Sequence, residues 1–329
     1  DPFGFGDFHM KYRTLGKTGF EVSEIGLGTW ALGTGIYGDV ERDAPRRLIS
    51  RALDAGINFL DTAPLYGTPE EIGTSETLLG EALGDRSSEV LISTKFGRTS
   101  KAVTPGRFTA KEAEASCEAS LRRLGRDTID VLFFHSPFSP DEIADDVWDA
   151  LGRLRDSGKV RSIGHSVSLY HQTAAMSAEW MRERRIEVIQ VVLSPFNREA
   201  RPLIETAMAC DCGVVARECL ANGFLSGAIS RDTVFPEGSL NARYTREEIT
   251  ERVAYAEALK REMVTGDVGT LPQAAYRWIL NQPGVSLALS GAKHPDELTD
   301  PVAASDLAEM PPSVLGRVEA LHEKDFGAA

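Results

Sequence analysis

The chain has 329 residues, 42% hydrophobic and 26% charged, a balance that permits an ample core. Its formal net charge is −13, an acid excess that argues against nucleic acid or an anionic membrane as partner while leaving room for a local basic pocket. No apolar run approaches the length needed to span a bilayer.

The segment from Asp1 to His9 is aromatic and glycine-rich, without the basic and apolar regions of a signal peptide. It is expected to be an appended remnant, with residues 10–329 forming a single domain. Tyr12 to Leu15, a turn over Gly16–Gly19, and Phe20 to Val22 predict a β-hairpin. Ile25 to Thr29 is a first buried strand. Arg46 to Asp54 has apolar residues at helical spacing, closed by Gly56. The short apolar run Ile57 to Leu60 then ends in the carboxylate of Asp61, with Pro64 and Gly67 stopping it and Tyr66 on the loop beyond.

The pattern repeats. Helices are expected at Ser75–Leu83, Thr109–Leu124, Asp141–Arg155, Tyr170–Glu183, Pro202–Met208 and Pro272–Leu280, and one last helix from Asp296 onward. Thr109 followed by Glu112 reads as a capping box. Strands are expected at Val90–Lys95, Ile129–Phe134, Val160–Ser166, Val188–Leu193, Gly213–Arg217 and Val285–Leu289. A long polar stretch, about Gly227 to Asp267, carries its own helical pattern at Glu247–Glu262.

Eight strands each followed by a helix, with strand runs apolar throughout, indicate a sheet covered on both faces. The number of units predicts an α/β fold, a (β/α)8 TIM barrel whose N-terminal β-hairpin plugs the bottom. The first strand lacks the third glycine of a dinucleotide-binding GxGxxG, which weighs against a Rossmann sheet. The four free thiols, Cys117, Cys210, Cys212 and Cys219, form no CxxC pair and have no histidine at zinc spacing. They point to a reducing compartment, the cytoplasm.

Three polar groups fall at equivalent strand ends: Asp61, Lys95 and His135. Tyr66 lies on the adjoining loop. Each alone reads as a cap, a solvated charge or a packed side chain. Neighbouring strands lie about 4.8 Å apart, so the barrel forces all of them into one cluster. Such a set makes a proton donor: an adjacent ammonium lowers the pKa of a phenol, a carboxylate holds the ammonium, and an imidazole meets the same substrate oxygen. No side chain supplies hydride, so carbonyl chemistry here calls for a nicotinamide cofactor. A metal-dependent barrel hydrolase would need histidine and aspartate ligands at several strand ends, and only His135 and His165 qualify.

These residues sit in stretches that resemble the aldo-keto reductase family across nearly all of Met10 to Leu321. The stretches are Leu15–Gly19 with Ile25–Trp30, Phe59–Ala63 with Tyr66-Gly67, Ser93–Gly97, Ser120–Leu124, Ile129-Asp130, His135, Gly158–Gly164 and Gly291–Lys293. The pattern is most similar to the bacterial branch with short loops. The resemblance implies Tyr66 as general acid and base, Lys95 and Asp61 tuning it, and His135 orienting the carbonyl. It implies NADP(H), with NAD(H) as the alternative. Gly28, Thr29 and Trp30 would run beside the nicotinamide ribose. Ser166 and Gln190 would hold the carboxamide. Arg217 falls where many members stack an aromatic on the nicotinamide. Leu220, Gly223, Phe224, Leu225, Ser226 and Gly227 would cover the pyrophosphate, and Gly291, Lys293 and Glu297 would form the adenosine end. Trp30, Tyr37, Phe138 and Phe224 are candidates to line the substrate pocket beside Tyr66 and His135.

The chain departs from the family pattern in three places. The carboxamide asparagine is replaced by Val167, with His165 a candidate to compensate or to pack. Glu297 stands where arginine or glutamine is usual, and Pro301 where asparagine is usual. A glutamate there suits a free ribose hydroxyl, as acidic residues do in NAD sites, whereas Lys293 favours a phosphate. The expected partner is a small carbonyl or alcohol, with oligomeric state open. The alternative reading is a non-catalytic, NADP(H)-sensing subunit resembling potassium-channel β-subunits.

Overall fold

The structure is a computed structural model and describes residues 8–33, 43–67, 71–98, 107–168 and 170–324. Strands β1 (Tyr12–Thr14) and β2 (Glu21–Ser23) pair antiparallel as the predicted hairpin. Eight parallel strands then close a barrel: β3 (Ile25–Gly28), β4 (Phe59–Asp61), β5 (Leu91–Phe96), β6 (Ile129–His135), β7 (Val160–Ser166), β8 (Val188–Val192), β9 (Gly213–Arg217) and β10 (Leu287–Gly291), with β10 returning to β3. The helices are α1 (Trp30–Gly33), α2 (Ala44–Asp54), α3 (Thr74–Leu83), α4 (Ala110–Leu124), α5 (Val147–Asp156), α6 (Tyr170–Arg182), α7 (Arg201–Ala209), α8 (Arg246–Met263), α9 (Leu271–Leu280), α10 (Thr299–Asp306) and α11 (Pro312–Glu323). No helix among the described residues is long and apolar enough to cross a membrane.

Period-2 alternation along the strands divides the barrel into a floor and a rim. Phe59, Val131, Phe133, Val188, Val215, Leu287 and Leu289 pack together inside with Leu15, Phe20 and Val22 of the hairpin. The hairpin therefore seals the N-terminal end. The Lys17 N–H donates to the Asp211 carbonyl at 2.6 Å, and Arg13 reaches the Leu280 and Val285 carbonyls. Strand glycines make room for the floor: a Cβ would lie 2.4 Å from Phe133 on Gly164, 2.5 Å from Leu15 on Gly213 and 2.7 Å from Leu287 on Gly26. Two positions on from four of these floor residues the same face of the strand presents a polar group: Asp61 after Phe59, His135 after Phe133, Gln190 after Val188, Arg217 after Val215.

Local signals account for most boundaries. Gly56 leaves α2 at φ 85 with its N–H on the Leu53 carbonyl. Thr109 accepts the Glu112 N–H at 3.2 Å, while the reciprocal box forms at α8, where Thr245 and Glu248 exchange bonds. Four expectations are corrected. The helix expected over Asp141–Arg155 begins only at Val147, because Glu142 is buried and its carbonyl accepts the Phe108 N–H at 2.9 Å, tying this segment to Phe108 as a bridge. The last helix is two, α11 beginning at Pro312, which holds the preceding Pro311 extended. The last strand is assigned two residues later than expected, although Ser286 N–H already bonds the Val214 carbonyl. The short α1 follows β3 at a place where the sequence pattern predicts no helix.

His165 settles which way β7 faces. It pairs laterally with Phe134 and Ile189, both in the outer core, so it points away from the lumen and packs on Trp180 with ring centroids 5.1 Å apart. Both ring nitrogens are buried without a partner among the described residues, and burial pushes its pKa down to about 3. Below the ordinary histidine value the unfolded chain then binds a proton that the folded chain refuses, so stability falls as pH drops from about 6.5 toward 3. At pH 5 the expected loss from this residue is about 2 kcal/mol. Urea unfolding at pH 7 and pH 5 should show it, and His165→Phe should shrink the difference between the two.

Candidate active site

The rim gathers the four residues named from the sequence. β4 and β5 run side by side with Asp61 opposite Ser93, which brings Lys95 above Asp61. Lys95 Nζ donates to Asp61 Oδ2 at 2.7 Å, to Oδ1 at 2.9 Å and to the Thr62 carbonyl at 2.8 Å. The two side chains are 1% and 4% exposed. The ammonium lies 4.8 Å from the centre of the Tyr66 ring, close enough for its charge to favour the phenolate. The His135 ring meets Tyr66 edge-on, 5.9 Å between centroids.

Tyr66 is held by its loop. Its N–H bonds the Ala63 carbonyl, and its own carbonyl accepts from Ser75. Glycines crowd it on either side: a Cβ on Gly33 would lie 2.2 Å from the Tyr66 carbonyl oxygen, and one on Gly67 would lie 2.1 Å from that of Glu71.

Electrostatics correct one expectation. Lys95 does favour the Tyr66 phenolate, but burial is the larger influence and Asp61 opposes ionisation as well, so the phenol is pushed above its ordinary value, not below it. Burial works against the Lys95 ammonium, yet Asp61 and the Tyr66 hydroxyl outweigh it and hold it above the usual lysine value. Burial, then Lys95, Arg98 and Arg217, push His135 well below the usual histidine range. Its Nδ1 is buried and unbonded among the described residues. At neutral pH the cluster therefore offers a protonated phenol and a neutral imidazole.

A polar chain extends this set across the rim. Ser93 Oγ donates to Asp61 Oδ1 at 2.7 Å, Gln190 Nε2 donates to the same oxygen at 3.0 Å, and Ser166 Oγ donates to Gln190 Oε1 at 3.0 Å. Sequence reasoning missed Ser93, although it lies two residues before Lys95 and must share its face. It also missed Ser136, which follows His135 at φ 51 with its Oγ 3.5 Å from that of Ser166, and Arg98, whose Nη1 donates to the Ser136 carbonyl at 3.3 Å.

The other sequence candidates are placed as follows. Gly28 ends β3 beside Gly291 of β10. Thr29 is fully buried, its hydroxyl spent on the Asp61 carbonyl at 3.0 Å and on Ser75. Trp30 opens α1, half-buried. Arg217 Nη2 donates to the Val167 carbonyl and Ser168 Oγ, Nη1 to Glu218, while its buried Nε has no bond among the described residues. Leu220 is half-buried, Leu225 is fully buried, and Gly223 and Gly227 have φ 93 and 79. Phe224 packs with Ile249 and Val253, making it loop packing. Lys293 N–H donates to Glu297 Oε2 at 2.8 Å, folding that carboxylate onto the loop. Phe138 is half-buried beneath Arg98, and Tyr37 lies outside the described residues. Val167 belongs to the outer core, and His165 faces the opposite side of the sheet from His135. His165 therefore supplies neither a replacement for the absent asparagine nor a metal ligand shared with His135.

The model of the Aldo/keto reductase family matches residues 24–323. The chain is 29% identical over 299 residues to an aldo-keto reductase, YhdN, of Bacillus subtilis, covering 88% of this chain and 87% of the relative. It is 30% identical to an NADH-specific methylglyoxal reductase of Escherichia coli, covering 91% and 94%. Among solved structures it superposes on a glycerol dehydrogenase, AKR11B4, of Gluconobacter oxydans with a TM-score of 0.79 at 26% identity, covering 97% and 96%. The chain belongs to the aldo/keto reductase family. It is an oxidoreductase of that family, dependent on a nicotinamide cofactor.

Proposed function

We propose that this enzyme moves a hydride between NADP(H) and a small carbonyl or alcohol, with Tyr66 as general acid in reduction and base in oxidation. The observation that carries the reading is the buried Lys95–Asp61 pair set against the Tyr66 ring with His135 edge-on to the same ring. The cofactor supplies hydride. Tyr66 donates its proton to the carbonyl oxygen as charge develops there, and Lys95 stabilises the phenolate left behind. The neutral His135 donates a hydrogen bond to the same oxygen. Asp61, fixed by Ser93 and Gln190, keeps Lys95 charged and aimed. Ser166 and Gln190 form a polar pair suited to a carboxamide, and the unbonded Arg217 Nε offers one more donor above it. Gly28 and the open space around Gly291 let backbone approach a dinucleotide. The four unpaired cysteines fit a reducing compartment, the cytoplasm.

NADP(H) stands first because Lys293 can meet a 2′-phosphate. NAD(H) is the second reading, favoured by the Glu297 carboxylate pinned to that loop. The test is oxidation of NADPH and NADH by the purified protein with a panel of aldehydes and ketones. Glu297→Gln should move the ratio of kcat/KM toward NADPH by about tenfold, the effect of ~1.4 kcal/mol, and Lys293→Ala should move it the other way. Tight cofactor binding with no turnover on any carbonyl would sink the enzymatic reading in favour of the regulatory subunit.

A further inference from the structure

The rim holds a cation that forms no ion pair among the described residues. Arg98 follows Lys95 by three residues, and its Cζ lies 3.8 Å from the centre of the Phe138 ring. Its one hydrogen bond among the described residues is to the Ser136 carbonyl, directly after His135, and its Nε is hidden from solvent and unbonded. The carboxylate whose charge reaches it among the described residues is Glu142, 1% exposed and shared with Arg107. Its Oε2 accepts the Phe138 N–H at 2.7 Å, and its Oε1 faces Arg107 Nη1 at 4.0 Å. Burial, then the like charge of Arg107, push the Arg98 guanidinium below its ordinary value; Glu142 offsets this in part, and Arg217 adds to it. The other charges around Tyr66 are paired, Lys95 with Asp61 and Arg217 with Glu218. In a chain of net charge −13, a guanidinium with no ion pair among the described residues thus contributes to the field felt by His135.

Its place on the ring narrows what it can meet. In the closed strand order β5 and β6 stand opposite β9 and β10. On the reductase reading above, on which this inference rests, the loops after β9 and β10 take the phosphates of the dinucleotide. A substrate with its carbonyl at Tyr66 and His135 then has the β5–β6 side into which to extend. We propose that Arg98 is a specificity-determining residue that selects carbonyl substrates bearing an anionic tail, a carboxylate or a phosphate. The planar guanidinium matches such oxyanions with parallel N–H donors. Phe138 covers one face of it, Nη1 is bonded to Ser136, and Arg107 adds to the field.

The experiment compares 4-oxobutanoate and glycolaldehyde phosphate with the uncharged methyl 4-oxobutanoate, in wild type, Arg98→Met and Arg98→Lys. Wild type is expected to favour at least one anionic aldehyde over the ester by tenfold or more in kcat/KM, and the better of the two identifies the tail. Arg98→Met should erase that preference through KM for the anion, with the ester and the affinity for NADPH changed less than twofold. Arg98→Lys should retain part of it. Equal losses on charged and neutral substrates would mark Arg98 as a mere clamp on Ser136 and overturn the proposal, as would an absent charge preference in wild type or a loss of NADPH affinity in Arg98→Met. If no aldehyde is reduced, the reductase reading fails, and calorimetry with succinamate against succinamide decides this one. Arg98-dependent binding of the anion alone supports it, and equal or absent binding overturns it.

Discussion

Tyr66→Phe is expected to lower kcat for carbonyl reduction by roughly 10²–10⁴-fold, the range that a positioned general acid contributes. That corresponds to about 3–5 kcal/mol of barrier. The substitution removes one oxygen and keeps the ring, so the edge contact with His135 and the Lys95 ammonium near the ring centre should survive, and NADPH affinity should be unchanged. The pH profile adds a second criterion. Because the phenol is pushed up, the protonated form persists through neutrality, and wild-type reduction should be flat there and fall only in alkali as Tyr66 ionises. Oxidation needs the phenolate and should rise over the same alkaline range. Steady-state kinetics in both directions with a fluorescence titration of NADPH check all of this. Wild-type turnover in the phenylalanine variant would hand the proton to another group.

The second large effect is Asp61→Asn. The change is nearly isosteric, but it leaves the Lys95 ammonium, 1% exposed, without its carboxylate. Removing one partner of a buried pair costs about 3–5 kcal/mol, and the variant should be both less stable and inactive. In wild type the Lys95 pKa is raised, so its contribution is complete below the unfolded lysine value and is lost as pH climbs through the folded one. In the variant, burial without Asp61 should depress the lysine instead. Its stability should then improve as pH rises toward the unfolded value, and the gap to wild type should narrow. Urea unfolding of both proteins at pH 7 and pH 10 measures that gap. A gap that stays constant between the two pH values would mean that the loss is steric.

The barrel and the tetrad were legible because both are consequences of period. An apolar run that ends in a polar residue fixes which face that residue shares with the floor, and Phe59–Asp61 and Phe133–His135 each repeat the rule. What escaped depends on contacts between segments far apart in the chain. Burial of Tyr66 reversed the direction that Lys95 alone would give its pKa. Glu142 turned a helical pattern into a bridge by bonding Phe108. The stacking of Arg98 on Phe138 joins the ends of two strands, and no local spacing announces it. The orientation of His165, by contrast, was readable from Ser166: adjacent strand residues face opposite sides, and only one of the two can look into the lumen.

The two glycines around Tyr66 set a limit on how this enzyme can change. With Gly33 and Gly67 closed to even one methyl group, the wall that carries the acid has no spare volume in which to vary. Arg98 and Phe138, after β5 and β6, are half-exposed side chains beside that wall. New substrates can therefore be accommodated by mutating one side of the opening while the proton donor stays where it is, so that selectivity and chemistry are free to evolve separately on a shared scaffold.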